Sequence, residues 1–175
     1  MKKVNSVISL LLIIMVFVHG IFASLLMIGV IEKPNPIPAV ICLVLLLIHI
    51  ILSIKLTVKT VKDAMSSGDK YEVENKMFVI RRLSGVIMVL LLIAHLVFYF
   101  GPQIENFTST PFTVVQLVLL ILLVISLIVH IVTNIRPLMV SLGVVSSDAI
   151  RAVLCIFVTS ALLLMATSSV VFFLK

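Results

Sequence analysis

Five long apolar runs, separated by short polar breaks, constrain this chain of 175 residues more than any other feature. They lie at about 5–31, 37–61, 78–101, 112–136 and 150–174. A bilayer span needs about 20 mainly apolar residues. Because backbone polar groups inside hydrocarbon must bond to one another, each run is predicted to be a transmembrane helix. The sequence therefore predicts an all-α integral membrane protein, with residues 1–175 forming a single bundle of five transmembrane helices.

The first apolar run follows Lys2 and Lys3, as the apolar part of a signal peptide would. Signal peptides have an apolar core of only about 7–15 residues and a small-residue cleavage site. This run continues to Ile31 without a clear cleavage site, and it contains a histidine. We therefore expect it to be retained as the first helix.

The basic residues are concentrated on one side of the predicted membrane. Of the 13, all but Lys33 and Lys175 lie at the amino end or in the second and fourth breaks, namely Lys2, Lys3, Lys55, Lys59, Lys62, Lys70, Lys76, Arg81, Arg82, Arg136 and Arg151. Short loops rich in Lys and Arg stay in the cytoplasm. We expect a multi-pass protein of the cell membrane with a cytoplasmic N-terminus and its C-terminus outside. This topology explains the net charge of +6, which then gives no argument for nucleic-acid binding.

The four histidines each lie inside a different apolar run: His19, His49, His95 and His130. Ionisable side chains at membrane depth are costly and commonly mark a functional site. Counted at about 1.5 Å per residue from the polar residue that closes each span on the cytoplasmic side, His19 and His95 stand about 20 Å deep, and His49 and His130 about 9 Å. The histidines therefore form an outer pair and an inner pair, in layers about 12 Å apart.

Two layers of two histidines, each layer drawn from different helices, are what two stacked bis-histidine hemes require. Imidazole is a common axial ligand of heme iron, and helix bundles build such sites from inward side chains. Ser53, Ser126 and Asn134 lie four residues from a histidine, on its side of the helix, where they can orient an imidazole or bond a heme edge. Gly20, beside His19, is expected to allow close approach of a porphyrin.

Other interpretations of the histidines remain open. A single membrane histidine is often an interhelical hydrogen-bonding group. One metal ion bound by all four is disfavoured because the layers lie too far apart. A histidine proton relay in a transporter is a third interpretation, but the spans have no Asp or Glu at core depth and few broken-helix signals.

Five transmembrane helices with one histidine in each of the first four resemble the diheme cytochrome b membrane-anchor subunit of the succinate dehydrogenase and fumarate reductase (succinate:quinone oxidoreductase) family. Residues 82–85, Arg-Leu-Ser-Gly, resemble the Arg-x-Ser/Thr-Gly opening of heme-carrying helices in related anchor subunits. The segment from His130 through Asn134 and Gly143 to Arg151 resembles the exit of the family's fourth helix. The chain departs from the family in its shorter loops, and its fourth span lacks the acidic residue that some relatives carry there.

The resemblance implies the ligand pairs His19 with His95 and His49 with His130, the same pairs that the depths give. It implies two non-covalent b hemes, in agreement with the lack of a Cys-x-x-Cys-His motif. It further implies that electrons pass between membrane quinone and flavoprotein and iron–sulfur subunits on the cytoplasmic face. No dinucleotide fingerprint, cysteine cluster or catalytic triad is present, so the chain is not expected to be an enzyme by itself.

The expected contacts to heme propionates or quinone are a short set of polar residues: Arg81, Arg82, Ser84, Ser126 and Asn134. The arginines serve equally well as positive anchors on the inner side of the membrane. Two alternative functions remain open. One is a diheme b-type cytochrome of another quinone-linked redox system, and the other is a non-redox membrane assembly or transport protein whose histidines are structural.

Overall fold

The computed structural model describes residues 1–68, 75–99, 113–144 and 147–174, and these residues form five α-helices and no strand. The helices are α1 (Lys2–Ile28), α2 (Ile37–Ser67), α3 (Lys76–Tyr99), α4 (Val114–Leu142) and α5 (Asp148–Phe173). Each is long and apolar enough to cross a membrane, which confirms the predicted all-α, five-span class. The predicted ends of the third and fourth spans at 100–101 and 112, and the basic residues Lys70 and Lys175, lie outside the described residues.

Two helices extend past the ends of their apolar runs. The second run ends at about 61, but α2 continues to Ser67, and its 31 residues correspond to about 46 Å. The hydrocarbon core of a bilayer is about 30 Å thick. The carboxyl end of α2, with Lys59 and Lys62, therefore extends beyond the apolar layer. Its backbone can stay helical there because the helix satisfies its own hydrogen bonds in water as well as in lipid.

The fourth run was expected to end at 136, but α4 contains Pro137 and continues to Leu142. A proline inside a helix removes one backbone hydrogen bond and clashes with the preceding turn. Pro137 lies at the polar end of the helix, where water can bond the freed carbonyl. The helix ends instead at Gly143, with φ 78°, where the Gly143 and Val144 amides bond the carbonyls of Val140 and Met139.

The starts of α4 and α5 are fixed by side-chain caps. Thr113 and Gln116 form a reciprocal capping box at the start of α4. Ser147 caps α5 by accepting a hydrogen bond from the Ile150 amide at 3.3 Å. The fifth helix therefore begins two residues before the expected position of 150.

The apolar core lies among α1, α4 and α5. Leu162 is only 2% exposed, and Ile131 and Val158 are also buried against it. Hydroxyl pairs join α1 to its neighbours near both ends, with Ser6 bonded to Ser141 of α4 (2.7 Å) and Ser168 of α5 bonded to Ser24 (3.0 Å). The helix without a histidine, α5, thus covers the back of α1 and α4.

The first four helices surround a space on the other side of α1 and α4. Within the described residues, α2 packs against α1 alone and α3 against α4 alone, whereas α1 and α4 pack against each other. The helices therefore follow the order α2, α1, α4, α3 around this space. No Cα atoms of α2 and α4, or of α1 and α3, approach within 8 Å of each other in the described ranges. Each predicted histidine pair joins two helices that do not touch.

Candidate functional site

His49 of α2 and His130 of α4 face each other across the space between their helices. Their ring centroids are 6.5 Å apart and their planes are inclined at 80°. Each ring nitrogen lies about 1.1 Å from its centroid, so a direct N–H···N hydrogen bond would bring the centroids to about 5 Å. Two imidazoles bound on opposite sides of one metal, with bonds of about 2 Å, would have centroids about 6.3 Å apart. The observed separation is too long for a direct hydrogen bond and leaves the distance that such a metal would need.

Ser9 of α1 bonds the ring of His49. The Ser9 hydroxyl lies 2.7 Å from the Asn5 carbonyl and 3.1 Å from His49 Nδ1. The Ser53 hydroxyl lies 3.4 Å from Nε2, which is long for a hydrogen bond and leaves this nitrogen weakly held.

Ser84 of α3 holds His130 in the same way. Its buried hydroxyl lies 3.1 Å from the Arg81 carbonyl and also 3.1 Å from His130 Nδ1. A ligating histidine almost always donates its second ring N–H to an oxygen, which fixes the tautomer and the ring orientation. Both His49 and His130 have such an oxygen at Nδ1.

Gly85 lies directly against the His130 ring. A Cβ at this position would stand 3.3 Å from Cε1 and 3.6 Å from Nδ1 of that ring. Any larger side chain there must compete with the imidazole for space. The Ser-Gly pair at 84–85 thus acts on one residue: Ser84 bonds the ring of His130, and Gly85 makes room for it.

The outer pair, His19 of α1 and His95 of α3, also lies across two helices that do not touch. Both side chains are partly buried, and they are close enough to interact electrostatically. The expectation for Gly20 is wrong. A Cβ there would stand 2.5 Å from Met165 Sδ of α5, so Gly20 allows α1 to pack on α5 and does not face the space between the histidines.

Arg82 places a positive charge near the inner histidines. Its guanidinium carbon lies 5.1 Å from the centroid of the Phe78 ring, and its charge acts on both His49 and His130. The Nε atom is buried and has no hydrogen-bond acceptor among the described residues, and no acid in those ranges pairs with this arginine. A partly buried cation of this kind suits an anionic group such as a propionate carboxylate. Arg81, partly exposed, contributes its carbonyl to Ser84.

Replacing Arg82 by glutamine is expected to lower the midpoint potential of one of the two expected hemes by tens of millivolts. A nearby positive charge stabilises the reduced state, and a unit charge at this range contributes on the order of 1 kcal/mol. Potentiometric titration of the α-band measures the shift. Arg82→Lys should largely restore the potential, and the exposed Arg136→Gln serves as the matched control. Equal potentials in Arg82→Gln and Arg136→Gln would contradict a role for Arg82 at the inner pair.

The two remaining predicted contacts differ from each other. Asn134 donates its side-chain amide to the backbone carbonyl of His130 at 2.7 Å, and its expected contact to a heme stays a prediction. The Ser126 hydroxyl is buried without a hydrogen-bond partner in the described ranges, and it does not bond His130 one turn away. A buried unpaired hydroxyl costs about 1–3 kcal/mol. Ser126 is therefore available to a group that is not part of the chain.

Ser9 is the functional residue that the sequence reasoning missed. The i±4 spacing predicts hydrogen-bond partners of a histidine only on the histidine's own helix. Ser9 reaches His49 from the neighbouring helix instead. A usable signal was present, because Ser9 is four residues beyond Asn5 and so about 6 Å deep, close to the inner layer.

The geometry gives no support to a conventional metal-ion site. No group of three or more His, Cys, Asp or Glu side chains within the described ranges can hold a metal ion. Cys42 and Cys155 are both free thiols. The histidines occur in pairs, and a heme iron can take two ligands from the protein.

Comparison with known proteins identifies no relative: no family model, curated protein or solved structure matches this chain.

Proposed function

We propose that this chain is a membrane-anchor and electron-transfer subunit that carries two bis-histidine b hemes, ligated by His19 with His95 and by His49 with His130. It would connect a cytoplasmic dehydrogenase of the succinate dehydrogenase or fumarate reductase type, with flavoprotein and iron–sulfur subunits, to membrane quinone. The observation that carries the proposal is the inner pair. The ring centroids of His49 and His130 lie 6.5 Å apart on two different helices, and each ring has Nδ1 bonded to a serine.

The protein's own residues would position, insulate and balance the two redox centres. Hemes supply one-electron oxidation and reduction, and two layers about 12 Å apart would give two such centres at different depths. The four histidines would hold the two hemes, the apolar helices would exclude water, and Arg82 would balance carboxylate charge beside the inner pair. The buried Ser126 hydroxyl, which has no hydrogen-bond partner among the described residues, would be available to a bound group.

The proposed orientation places the N-terminus in the cytoplasm and the C-terminus outside the cell membrane. The inner pair then lies nearer the cytoplasm and the outer pair nearer the opposite surface. The carboxyl-terminal part of α2 carries Lys55, Lys59 and Lys62, at helical spacing, towards the cytoplasm. This basic end is where partner subunits would dock or anionic lipid headgroups would bind.

The alternatives lead to different expectations for the histidines. A diheme cytochrome of another quinone-linked system would use the same four ligands, and only its soluble partner would differ. Structural histidines would bond groups on neighbouring helices, as His49 bonds Ser9 and His130 bonds Ser84, and would bind no heme. The support for a ligand is the 6.5 Å separation of the His49 and His130 centroids, which is longer than a direct hydrogen bond between the rings would give.

The test is a dithionite-reduced minus oxidised absorbance spectrum of the purified chain, with heme quantified per polypeptide. We expect a b-type α-band and about two hemes per chain, since each heme takes two of the four histidines. Co-purification of a flavoprotein and an iron–sulfur protein from the native membrane would then identify the redox system. A chain that contains no heme after expression with ample heme supply would contradict the proposal.

A further inference from the structure

The serine–histidine bond of the inner pair occurs twice, once in each helix hairpin. In the hairpin of α1 and α2, Ser9 bonds Nδ1 of His49, and in the hairpin of α3 and α4, Ser84 bonds Nδ1 of His130. Both Nδ1···Oγ distances are 3.1 Å. In both cases the serine lies on the first helix of the hairpin and the histidine on the second.

Each serine hydroxyl also lies within hydrogen-bonding distance of a backbone carbonyl in the preceding turn of its own helix. The Ser9 hydroxyl is 2.7 Å from the carbonyl of Asn5, and the Ser84 hydroxyl is 3.1 Å from that of Arg81. Each hydroxyl is therefore held by its own helix while its oxygen faces an imidazole of the next helix. When Nε2 of an imidazole binds a metal, Nδ1 carries the ring hydrogen and can donate it to the serine oxygen.

Each serine also limits the rotation of one imidazole independently of the other. Ser9 comes from α1 and Ser84 from α3, which do not touch each other in the described ranges. The two rings are thus fixed from opposite sides of the bundle, at an interplanar angle of 80°. Perpendicular axial imidazoles give ferric heme an electron paramagnetic resonance signal at lower field than parallel imidazoles do, so the angle has its own spectroscopic signature.

We infer that Ser9 and Ser84 are positioning residues that preform the inner heme site, by bonding Nδ1 of His49 and of His130 and leaving Nε2 of each ring available to iron. This inference rests on the proposed function. It assigns to the two serines the role of orienting heme ligands, which is separate from any role in helix formation or helix packing. Donation of Nδ1–H to an oxygen makes the ligating nitrogen more basic, which stabilises ferric over ferrous iron.

The experiment compares Ser9→Ala and Ser84→Ala with Ser24→Ala in the full-length chain. Ser24 is the matched control because it lies on α1 and takes part in an interhelical hydroxyl bond, to Ser168, with no histidine involved. Heme retention is measured as the rate of transfer to an excess of apoglobin, and potentials by redox titration. We expect each of the first two variants to weaken one heme at least tenfold and to raise its midpoint potential.

The other heme gives an internal check on folding. It should keep its wild-type retention and potential in both variants, and the low-field resonance signal should shift or broaden for the affected heme alone. Ser9→Thr keeps the hydroxyl and should restore wild-type values. Equal behaviour of Ser9→Ala, Ser84→Ala and Ser24→Ala would overturn the inference while leaving the diheme proposal intact, and so would equal weakening of both hemes. A wild-type chain without heme would overturn the proposed function itself.

Discussion

His130→Ala is expected to reduce the heme content from about two to about one per chain. The His130 side chain is one of two imidazoles at the inner layer, and the described part of α4 places no other histidine, cysteine or methionine beside Ser84 and Gly85 that could replace it. Without His130 the inner heme would have one histidine ligand in a site built around two, so we expect the inner site to lose its heme during purification. A heme assay against polypeptide concentration measures the change.

Double variants test how the four histidines are paired. If His49 and His130 share one heme, the double variant His49→Ala with His130→Ala should keep one heme, as either single variant does. His49→Ala with His95→Ala removes one ligand from each layer and should leave none. The losses of heme are not additive in the first double variant because the two histidines share one heme. They are additive in the second because the two histidines hold different hemes. The same heme content in both double variants would contradict the proposed pairs.

The depth of each histidine could be predicted because height along a transmembrane helix follows directly from sequence position. A rise of about 1.5 Å per residue converts a sequence position into a height with little error. Rotation about the helix axis is harder to predict, since neighbouring residues differ by about 100°. His19 and Gly20 illustrate this: they are adjacent in the chain, yet Gly20 faces Met165 of α5. Which helix lies on which side depends on packing across the whole bundle.

The polar neighbours of the histidines show a second limit of prediction from sequence. Residues at i±4 share a helix face, but short polar side chains also bond the backbone of their own helix. Asn134 does so at the His130 carbonyl, whereas Ser53 reaches the ring of His49, and the sequence spacing is the same in both cases. The bonds from Ser9 and Ser84 to histidines on neighbouring helices have no local sequence signature, because they depend on tertiary packing.

Gly85→Leu is expected to remove the inner heme through steric exclusion and to leave the outer one in place. The leucine Cβ would already stand 3.3 Å from His130 Cε1, and the rest of the side chain would need the space that the imidazole occupies. The substitution should not weaken α3 itself, since leucine is more favourable than glycine in a helix by up to about 1 kcal/mol. Loss of heme would therefore come from displacement of His130 and not from loss of the helix.

A graded series makes this test specific. Gly85→Ala adds only the Cβ, so the ring has to move by a few tenths of an ångström, and we expect two hemes with the inner one released a few times faster. Val86→Phe adds comparable bulk to the next residue of α3, which is 58% exposed on the outside of the bundle, and it should retain both hemes at wild-type rates. Heme content and release to apoglobin would be measured for all three variants. Two tightly held hemes in Gly85→Leu would mean that His130 does not need its observed position, and the assignment of the inner pair as heme ligands would then fail.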